Sequence, residues 1–234
     1  MFKKLRYLKY YANVLLNNWT TSKVSYAQHG EDRLVELLLP EGVKSFIDIG
    51  ANDGVLFSNT FKFAKSGAHG LCVEPSKNSY KKLRLNHLFH RNIICINTAI
   101  SNTNGKIYLR ELGYESTLSS VSTKKSNNSY AVECLTFNNI LENNPKFIEV
   151  DLLTIDAEGH EKEILQGLTK TNFKAKVIII ESDKTQSDAL LKFSALRKYN
   201  ALYINGVNTI LTHENEIFNE LTTLPKGFVK CWTQ

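Results

Sequence analysis

The sequence predicts an α/β protein built on a doubly wound, mostly parallel sheet. Five short, mainly apolar runs have the composition of strands that are buried on both faces. They span residues 44–49, 69–74, 93–98, 151–155 and 176–181. Helical patterns separate most of these runs, which is the order of βαβ units. The 234 residues, 42% of them hydrophobic, suffice for one such domain.

Helices are expected where apolar residues recur with helical spacing before and between the strands. Ser76 is well placed as the N-cap of the helix after the second strand, because its hydroxyl can accept a backbone N–H. The expected helices span residues 26–39, 57–66, 76–88, 137–143, 159–168 and 185–199.

Strands beyond the five parallel ones are expected in two places. Residues 102–135 lack a helical pattern, and segments 106–110 and 130–137 have the pattern of extra strands around a polar loop. Near the C-terminus, Asn205-Gly206 lies between two apolar runs within residues 201–213. Because Asn-Gly favours the tight turns of hairpins, an antiparallel pair should close the sheet.

The stretch SFIDIGANDGVLFS, residues 45–58, predicts a ligand-binding turn after the first strand. Glycine permits a sharp turn and lets a ligand approach the backbone closely. A dinucleotide fingerprint would need glycine at the positions of Asn52 and Val55. A phosphate loop also needs glycine at Val55, followed by Lys and Ser or Thr. The turn therefore favours a ligand without a pyrophosphate.

The second predicted strand ends in Glu74. Nucleotide-binding folds place an acid at this point, where it accepts the ribose hydroxyls and disfavours a 2′-phosphate. A nucleoside-like ligand with free ribose hydroxyls and no pyrophosphate is therefore expected, and S-adenosylmethionine fits that description. The alternative is that Glu74 is a surface acid that caps the next helix.

Five segments together resemble the FkbM-type, S-adenosylmethionine-dependent methyltransferases. DIGANDG resembles the D-x-G-A-N-x-G motif of that family, and IDAEGHEKEILQG resembles its distinctive I-D-x-E-G-x-E-x-x-x-L-x-G motif. CVEPS, TAISNTNG and YAQHGEDRLVELLL resemble three further family segments. The matching segments lie at residues 48–54, 155–167, 72–76, 98–105 and 26–39.

The resemblance implies a Rossmann-like, seven-stranded methyltransferase sheet with an antiparallel C-terminal hairpin and S-adenosylmethionine as cofactor. One departure is Asn138 within LTFNNIL, where members often show L-D-x-L-L. We expect it to affect helix packing more than chemistry. Residues that match the family or lie at the relevant strand ends are assigned to the cofactor. They are Asp48, Gly50, Ala51, Asn52, Gly54, Glu74, Pro75, Ser101, Asp156 and Gln28.

Catalysis is assigned to Asp156, Glu158 and His160, because ligands in open α/β sheets bind at the carboxyl ends of strands. Asp156 is expected to hold the acceptor hydroxyl or to act as a base. Alternatively, it is the N-cap of the helix at 159–168. Glu158 would orient the acceptor or the methionine end. His160 has a pKa suited to a base, but it is equally consistent with an exposed helix histidine.

A metal site is not predicted, although Asp156 and Glu181 are weak candidates for Mg²⁺ ligands. Gln28, Glu31 and Asp32 are expected either to cover the cofactor or to favour a helix N-terminus. Ser101 and Asn102 are expected near the adenine. Ser116-Thr117 and the loop to Asn128 are candidates for contact with the acceptor.

Bulk composition limits the partners. The net charge of +6 permits anionic partners, but the basic residues are scattered and no DNA partner is expected. Residues 1–25 form a basic, amphipathic extension that either packs on the domain or touches an anionic membrane surface. Residues 26–234 form the methyltransferase domain. The four cysteines lack a C-x-x-C pair and fit buried thiols in the cytoplasm, with peripheral contact at the inner membrane face as an option.

The expected activity is transfer of a methyl group to a hydroxyl. The family resemblance implies that the hydroxyl belongs to a sugar of a glycan, glycolipid or glycosylated metabolite. One alternative is a lipid, small metabolite or RNA as acceptor. The basic residues Lys81, Lys82 and Arg84 would suit contact with RNA, but a helix surface explains them as well. Another is a catalytically silent binding module with the same fold. The oligomeric state is left open.

Overall fold

A computed structural model describes residues 12, 16, 23–111, 119–122, 129–182, 189–216, 218 and 221–231. Most of the basic extension at 1–25 lies outside these described residues. Ser116-Thr117 and residues 123–128 of the predicted acceptor loop lie outside them as well.

Twelve strands are described. In chain order they are β1 (Ser45–Ile49), β2 (His69–Val73), β3 (Ile93–Ile96), β4 (Ala99–Ser101), β5 (Gly105–Glu111), β6 (Ser119–Ser122), β7 (Ser129–Thr136), β8 (Glu149–Ile155), β9 (Lys174–Glu181), β10 (Tyr199–Ile204), β11 (Asn208–His213) and β12 (Val229–Lys230). The described helices are α1 (Glu31–Leu38), α2 (Phe61–Lys65), α3 (Lys77–Asn86), α4 (Phe137–Asn143) and α5 (Glu161–Leu168).

The main sheet has the strand order β12-β10-β11-β9-β8-β1-β2-β3. Strands β3, β2, β1, β8 and β9 pair in parallel, whereas β11 is antiparallel to both β9 and β10. The predicted doubly wound sheet and its antiparallel C-terminal hairpin are therefore confirmed. The predicted count of seven strands is wrong by one, because the two-residue β12 pairs with the edge of β10.

The two predicted extra strands belong to a second, four-stranded sheet in the order β4-β7-β5-β6. Strand β5 pairs antiparallel with β7 along six residue pairs, and β4 pairs in parallel with β7. This small sheet follows β3 directly in the chain. It brings Leu109 of β5 to the wall of the cavity described below.

Several helices are shorter than the patterns predicted. Helix α1 begins only at Glu31, because Gly30 has a left-handed φ of 86°. Helix α2 begins at Phe61 instead of residue 57, because Phe57 also has a left-handed φ, of 58°. Ser76 caps α3 as predicted, since its hydroxyl accepts the Ser79 N–H.

The predicted helix at 185–199 is wrong in its described part beyond residue 190. That part contains a short 3₁₀ turn at Ser194–Leu196, and β10 already begins at Tyr199. Its apolar spacing has another cause, because Leu190 and Leu196 are buried in the core without a shared helix face.

Two apolar clusters cover the two faces of the main sheet. One lies between the sheet and helices α4 and α5, and includes Ile47, Phe137, Leu153 and Leu165. The other lies on the opposite face, beneath α1, α2 and α3. With both faces covered, the open carboxyl ends of the parallel strands are left for ligands.

Candidate active site

A cavity of about 460 Å³ lies at the carboxyl ends of β1, β2, β8 and β9. Its volume is in the range of small-molecule binding sites, and its position is where open α/β sheets bind ligands. Eight of the residues predicted to hold the cofactor line its wall. They are Gln28, Asp48, Gly50, Ala51, Asn52, Glu74, Pro75 and Asp156.

The turn after β1 brings three strand ends together at the cavity. Gly50 has a φ of 85°, and a Cβ built on it would lie 1.7 Å from the backbone oxygen of Asp156. The N–H groups of Gly50 and Ala51 both donate to the Val73 carbonyl, at 2.9 and 3.1 Å. Glycine is therefore required at position 50 by close packing against β8 as well as by its left-handed backbone.

Glu74 lies in the cavity wall next to this turn, where two hydrogen bonds fix its side chain. Its side chain is buried; one carboxylate oxygen accepts the Asn52 N–H at 2.9 Å and the other accepts the Ser76 N–H at 2.7 Å. It therefore holds the start of α3, as in the interpretation of Glu74 as a capping residue, but it is buried and not a surface acid. It also lines the cavity.

Asp48 is fixed by two hydroxyl groups at the base of the cavity. It accepts hydrogen bonds from Thr60 at 2.6 Å and from Thr154 at 2.8 Å. Burial raises the pKa of the Asp48 carboxyl, and the two hydroxyl donors oppose this effect. The sequence did not identify either threonine, because their hydroxyl groups reach Asp48 only in the folded chain.

Asp156 and Glu181 form a pair of carboxyl groups at adjacent strand ends. Ile155 of β8 pairs with Ile180 of β9, so the next residue of each strand faces the same space. The two carboxyl groups interact closely, because each is among the causes of the other's pKa shift. The Asp156 N–H donates to the Ile49 carbonyl and fixes the end of β8 beside β1.

This carboxyl cluster holds protons at a higher pH than ordinary acids do. Desolvation, followed by the charge of Glu181, raises the pKa of Asp156 to about 8. Desolvation, followed by the charge of Asp156, raises the pKa of Glu158 to about 7. Protein surrounds Asp156 on most sides, yet its side chain remains accessible because it faces the cavity. Raised carboxyl pKa values near neutrality suit proton transfer.

Strained backbone is concentrated at the same cavity. Three non-glycine residues in the described part of the chain have positive φ angles, namely Asn52 at 49°, Phe57 at 58° and Glu158 at 52°. All three line the cavity. Such conformations carry an energetic penalty and cluster at ligand sites, which agrees with the cavity being the functional site.

A comparison with protein-family models matches residues 48–203 to the methyltransferase FkbM domain. The match covers well over half of the chain and contains the end of β1 together with β2, β8 and β9. This chain belongs to the FkbM methyltransferase family. It is an S-adenosylmethionine-dependent methyltransferase, as its sequence motifs predicted.

Solved structures similar to this FkbM-family chain are also methyltransferases. The FkbM methyltransferase of Methylobacillus flagellatus KT has 11% identity and a TM-score of 0.46; the match covers 73% of this chain but only 43% of that one. A precorrin-6y C5,15-methyltransferase of Geobacter metallireducens GS-15 has 13% identity and a TM-score of 0.48, with coverages of 83% and 92%. An O-methyltransferase of Bacillus cereus, in complex with SAH, has 14% identity and a TM-score of 0.45, with coverages of 88% and 90%. No curated protein matches the chain.

His160 of the methyltransferase lies at the cavity but has both ring nitrogens engaged. Nε2 lies 3.0 Å from the Ser101 hydroxyl, and Nδ1 lies 3.5 Å from a carboxylate oxygen of Glu163. The residue is buried, so the reading as an exposed helix histidine is wrong. Burial lowers the pKa of His160, whereas Glu163 opposes this effect.

Two residues predicted to hold the cofactor lie away from the cavity wall. Ser101 is turned toward His160, as described above. Gly54 packs against α3, because a Cβ there would lie 2.6 Å from Leu83 and 2.8 Å from His87. Asn102, expected near the adenine, instead donates to Gln166 at 2.6 Å. The segment Thr98–Ile100 lines the cavity in their place.

Of the three residues predicted to cover the cofactor, only two line the cavity wall. Gln28 and Glu31 line the cavity, and the Glu31 carboxylate accepts from the side-chain amides of Asn205 and Asn208 at 2.7 and 2.8 Å. Asp32 is instead bound to the Ser25 hydroxyl and the Tyr26 N–H. Glu31 thus joins the segment before α1 to the C-terminal hairpin.

Several cavity residues were not predicted. Leu109 of β5 reaches the wall because the small sheet packs beside α5, and no local pattern marks it. Leu56 and Phe57 also line the cavity and are about half exposed, although the pattern had placed Phe57 in a helix. Asn138, the departure from the family motif, donates to Glu142 on the surface of α4, away from the cavity.

Asp156 and Glu181, the weak metal candidates, lie together in the cavity wall. Within the described part of the chain, no group of three or more His, Cys, Asp or Glu side chains is arranged to hold a metal ion.

Among the described residues, no helix is long and apolar enough to cross a bilayer.

Proposed function

We propose that this methyltransferase transfers a methyl group from S-adenosylmethionine to a hydroxyl, and that the hydroxyl belongs to a sugar. The observation that supports a hydroxyl acceptor is the close pair of carboxyl groups of Asp156 and Glu181 in the cavity wall. A hydroxyl must lose a proton when its oxygen is methylated, and this pair offers a carboxylate to accept it. The choice of a sugar in a glycan, glycolipid or glycosylated metabolite rests on the family resemblance alone.

The residues of the cavity fit the cofactor. Glu74 is assigned to the ribose hydroxyls, because its carboxylate lines the cavity after β2, where nucleotide-binding folds place an acid for this purpose. The turn from Gly50 to Asn52, with Pro75 beside it, forms the adjoining wall. Asp48 and Gln28 line the part of the wall assigned to the methionine end. Ser101 and Gly54 act indirectly, by positioning His160 and by packing the turn against α3.

The protein's part in the chemistry is alignment and proton transfer. S-adenosylmethionine, when bound, supplies an electrophilic methyl group on a positively charged sulfur. Asp156 binds the acceptor hydroxyl and removes its proton, and the charge of the neighbouring Glu181 raises the pKa of the Asp156 carboxyl. Glu158 orients the acceptor from the strained turn after β8. His160, with both nitrogens engaged, supports this turn at the start of α5.

The charge of the cavity restricts the acceptor further. Six carboxyl residues line it, and none of the described lining residues is Lys or Arg. They are Glu31, Asp48, Glu74, Asp156, Glu158 and Glu181. A phosphate or carboxylate of the acceptor would meet like charge there, at a low local dielectric. The acceptor is therefore neutral or cationic around the hydroxyl that is methylated.

The proposal also covers the domain boundaries and the compartment of the protein. We assign the catalytic domain to residues 26–234 and the basic segment 1–25 to an extension that packs on the domain or contacts an anionic surface. The protein acts in the cytoplasm, including the inner face of the membrane. Four Cys residues without a C-x-x-C pair, all free in the structure, support a reducing compartment.

An acceptor screen tests the proposal. Purified wild-type protein and Asp156→Asn are incubated with S-adenosylmethionine and a panel of neutral glycosides, amino-glycosides, sugar phosphates, lipids without sugar, and RNA. Formation of S-adenosylhomocysteine and the mass of the product are measured. We expect an O-methylated neutral or amino-sugar product that wild type forms and Asp156→Asn does not. Methylation of nitrogen, or of an acceptor without a sugar, would contradict the proposal.

A further inference from the structure

The charge along the chain is strongly uneven around helix α3. No Asp or Glu occurs between Glu74 and Glu111, and this run contains seven Lys and Arg. The same run contains α3, the turn after it, and the edge strand β3. These elements therefore contribute positive charge and contain no carboxylate of their own, in contrast to the carboxyl-lined cavity.

The basic residues of α3 lie on its outer face. Lys77, Lys81 and Arg84 follow one another at spacings of four and three residues, which places them on one side of a helix. All three are exposed, and Leu88 continues the same spacing into the turn after the helix. The opposite side packs inward through Ser79, Leu83 and Asn86, which are buried. We call Lys77, Lys81, Arg84, Leu88, Phe89 and Arg91 the basic face.

The cations of the basic face are unpaired. Within the described residues, Lys77, Lys81, Arg84 and Arg91 form no ion pair. Lysines on other surfaces of the same molecule do bind carboxylates, in the pairs Lys62–Glu36, Lys174–Glu149 and Lys176–Asp151. The basic face is therefore available for an external anion.

Two large apolar side chains lie at the end of this face. Leu88 is 63% exposed and Phe89 is 51% exposed, in the turn between α3 and β3. Adjacent exposed apolar residues beside unpaired cations are the combination that binds the interface of an anionic bilayer, where the apolar groups insert below the headgroups.

A nucleic acid fits this surface less well. Single-stranded RNA is bound by a basic groove with aromatic rings on which bases stack. Phe89 is the one exposed aromatic ring of the basic face, since Tyr80 of α3 is half-buried and its hydroxyl donates to the Cys95 carbonyl at 3.4 Å. The basic face is the convex side of a helix, which suits a flat headgroup surface.

We propose that the basic face docks the protein onto a bilayer that contains anionic lipids. The face begins beside the active site, because Pro75 and Ser79, which flank Lys77, line the cavity. Docking through α3 therefore brings the cavity next to the headgroup region. This site is distinct from the extension at residues 1–25 and does not depend on the identity of the methyl acceptor.

Vesicle flotation of the full-length chain tests the proposal. The probes are vesicles of phosphatidylcholine alone and vesicles with 30% phosphatidylglycerol, at low salt and at 0.5 M NaCl, which screens surface charge. Wild type should float with the anionic vesicles at low salt only. Lys81→Glu with Arg84→Glu should lower the partition coefficient by about tenfold or more, since each basic residue near an anionic surface contributes to binding. Leu88→Gln with Phe89→Gln should also weaken binding to the anionic vesicles at low salt.

Matched controls separate the basic face from net charge and from general hydrophobicity. Arg197→Glu with Lys198→Glu makes the same change of charge at exposed positions elsewhere, and Ile148→Gln removes an apolar side chain that is 44% exposed. Both controls should bind as wild type does. Circular dichroism establishes that every variant is folded.

Several results would overturn the proposal. They are equal binding to both vesicle types, no binding by wild type, and equal losses in the control and α3 variants. Unchanged binding by the α3 variants would assign the contact to residues 1–25 instead. In a parallel titration, RNA binding that is lost in the α3 variants, without vesicle binding, would identify a nucleic-acid surface and contradict the membrane assignment.

Discussion

The carboxyl groups of Asp156 and Glu181 lie together in the cavity wall, where β8 and β9 end side by side. Two carboxylates so close cannot both be ionised at little cost, so the pair retains a proton near neutral pH. A residue beside a cofactor cavity that both binds a hydroxyl and exchanges a proton has the properties of a general base. The pair is therefore where mutation should separate catalysis from cofactor binding.

Asp156→Asn should abolish most of the activity without abolishing cofactor binding. The amide cannot take the proton of the acceptor hydroxyl, and loss of a general base typically lowers kcat by about 10²–10⁴-fold. The variant keeps the shape of the side chain, so the Kd of S-adenosylmethionine should change by less than about tenfold. Single-turnover rates and calorimetric titration measure the two quantities.

Glu149→Gln is the matched control for this prediction. Glu149 lies at the opposite end of the same strand, where its side chain is 69% exposed and pairs with Lys174. Its removal should leave both kcat and Kd near the wild-type values. Wild-type turnover by Asp156→Asn would exclude Asp156 as the base.

The activity should rise with pH through the neutral range. The carboxyl that accepts the proton must be ionised, and the pKa of Asp156 is raised to about 8 by desolvation and by Glu181. The acid limb of the kcat/KM profile is therefore expected between pH 7 and 8, well above that of an ordinary aspartate. The profile of kcat/KM measured from pH 5 to 9 tests this expectation.

Glu181→Gln should move that acid limb to lower pH. The substitution removes the like charge that raises the Asp156 pKa, and the amide can still donate a hydrogen bond to the Asp156 carboxylate. The remaining activity should thus persist at pH values where wild type has lost it. Glu149→Gln should leave the profile in place. A limb that stays fixed in Glu181→Gln would show that another group controls the titration.

Glu74→Ala should weaken S-adenosylmethionine binding by about 10–100-fold, because hydrogen bonds to a charged group contribute about 1.5–3 kcal/mol. The loss should be measured by calorimetry together with the melting temperature, since Asn52 and Ser76 also lose a partner for their N–H groups. Glu133→Ala, on the exposed side of β7, is the control and should bind as wild type does. Unchanged affinity in Glu74→Ala would place the ribose elsewhere in the cavity.

Features set by local pattern were predictable from the sequence. The five parallel strands follow from apolar runs, the hairpin follows from Asn205-Gly206, and the start of α3 follows from the hydroxyl of Ser76. Glu74 was predictable because it ends a buried strand next to the turn at Gly50, so topology alone brings it to the cavity.

Features set by contacts between distant segments were not predictable. Leu109 lines the cavity only because a second sheet packs beside the first, and Glu31 meets Asn208 across most of the chain length. Ser101 follows a strand like a cofactor residue, yet its hydroxyl lies against His160. Glu181 was identified only as a metal candidate, because nothing local shows that its carboxyl meets that of Asp156.

The turn at Gly50 allows a sharp test of what glycine does there. Gly50 and Gly42 have nearly the same φ, 85° and 82°, but differ in the space available to a Cβ. A Cβ at Gly50 would lie 1.7 Å from the Asp156 backbone oxygen, whereas nothing lies within 4 Å of one at Gly42. Comparing alanine at the two positions therefore separates backbone strain from steric overlap.

Gly42→Ala should lower the free energy of unfolding by about 1–2 kcal/mol, the cost of a left-handed residue with a Cβ. Gly50→Ala should lower it by about 4 kcal/mol or more, because the clash also displaces the end of β8, which Asp156 fixes to β1 through the Ile49 carbonyl. Urea denaturation followed by circular dichroism measures both changes. If the two variants lose equal stability, the end of β8 can move away from the turn, and Asp156 is then not rigidly positioned for proton transfer. A large loss confined to Gly50→Ala would mean that one close backbone contact joins the cofactor turn to the base.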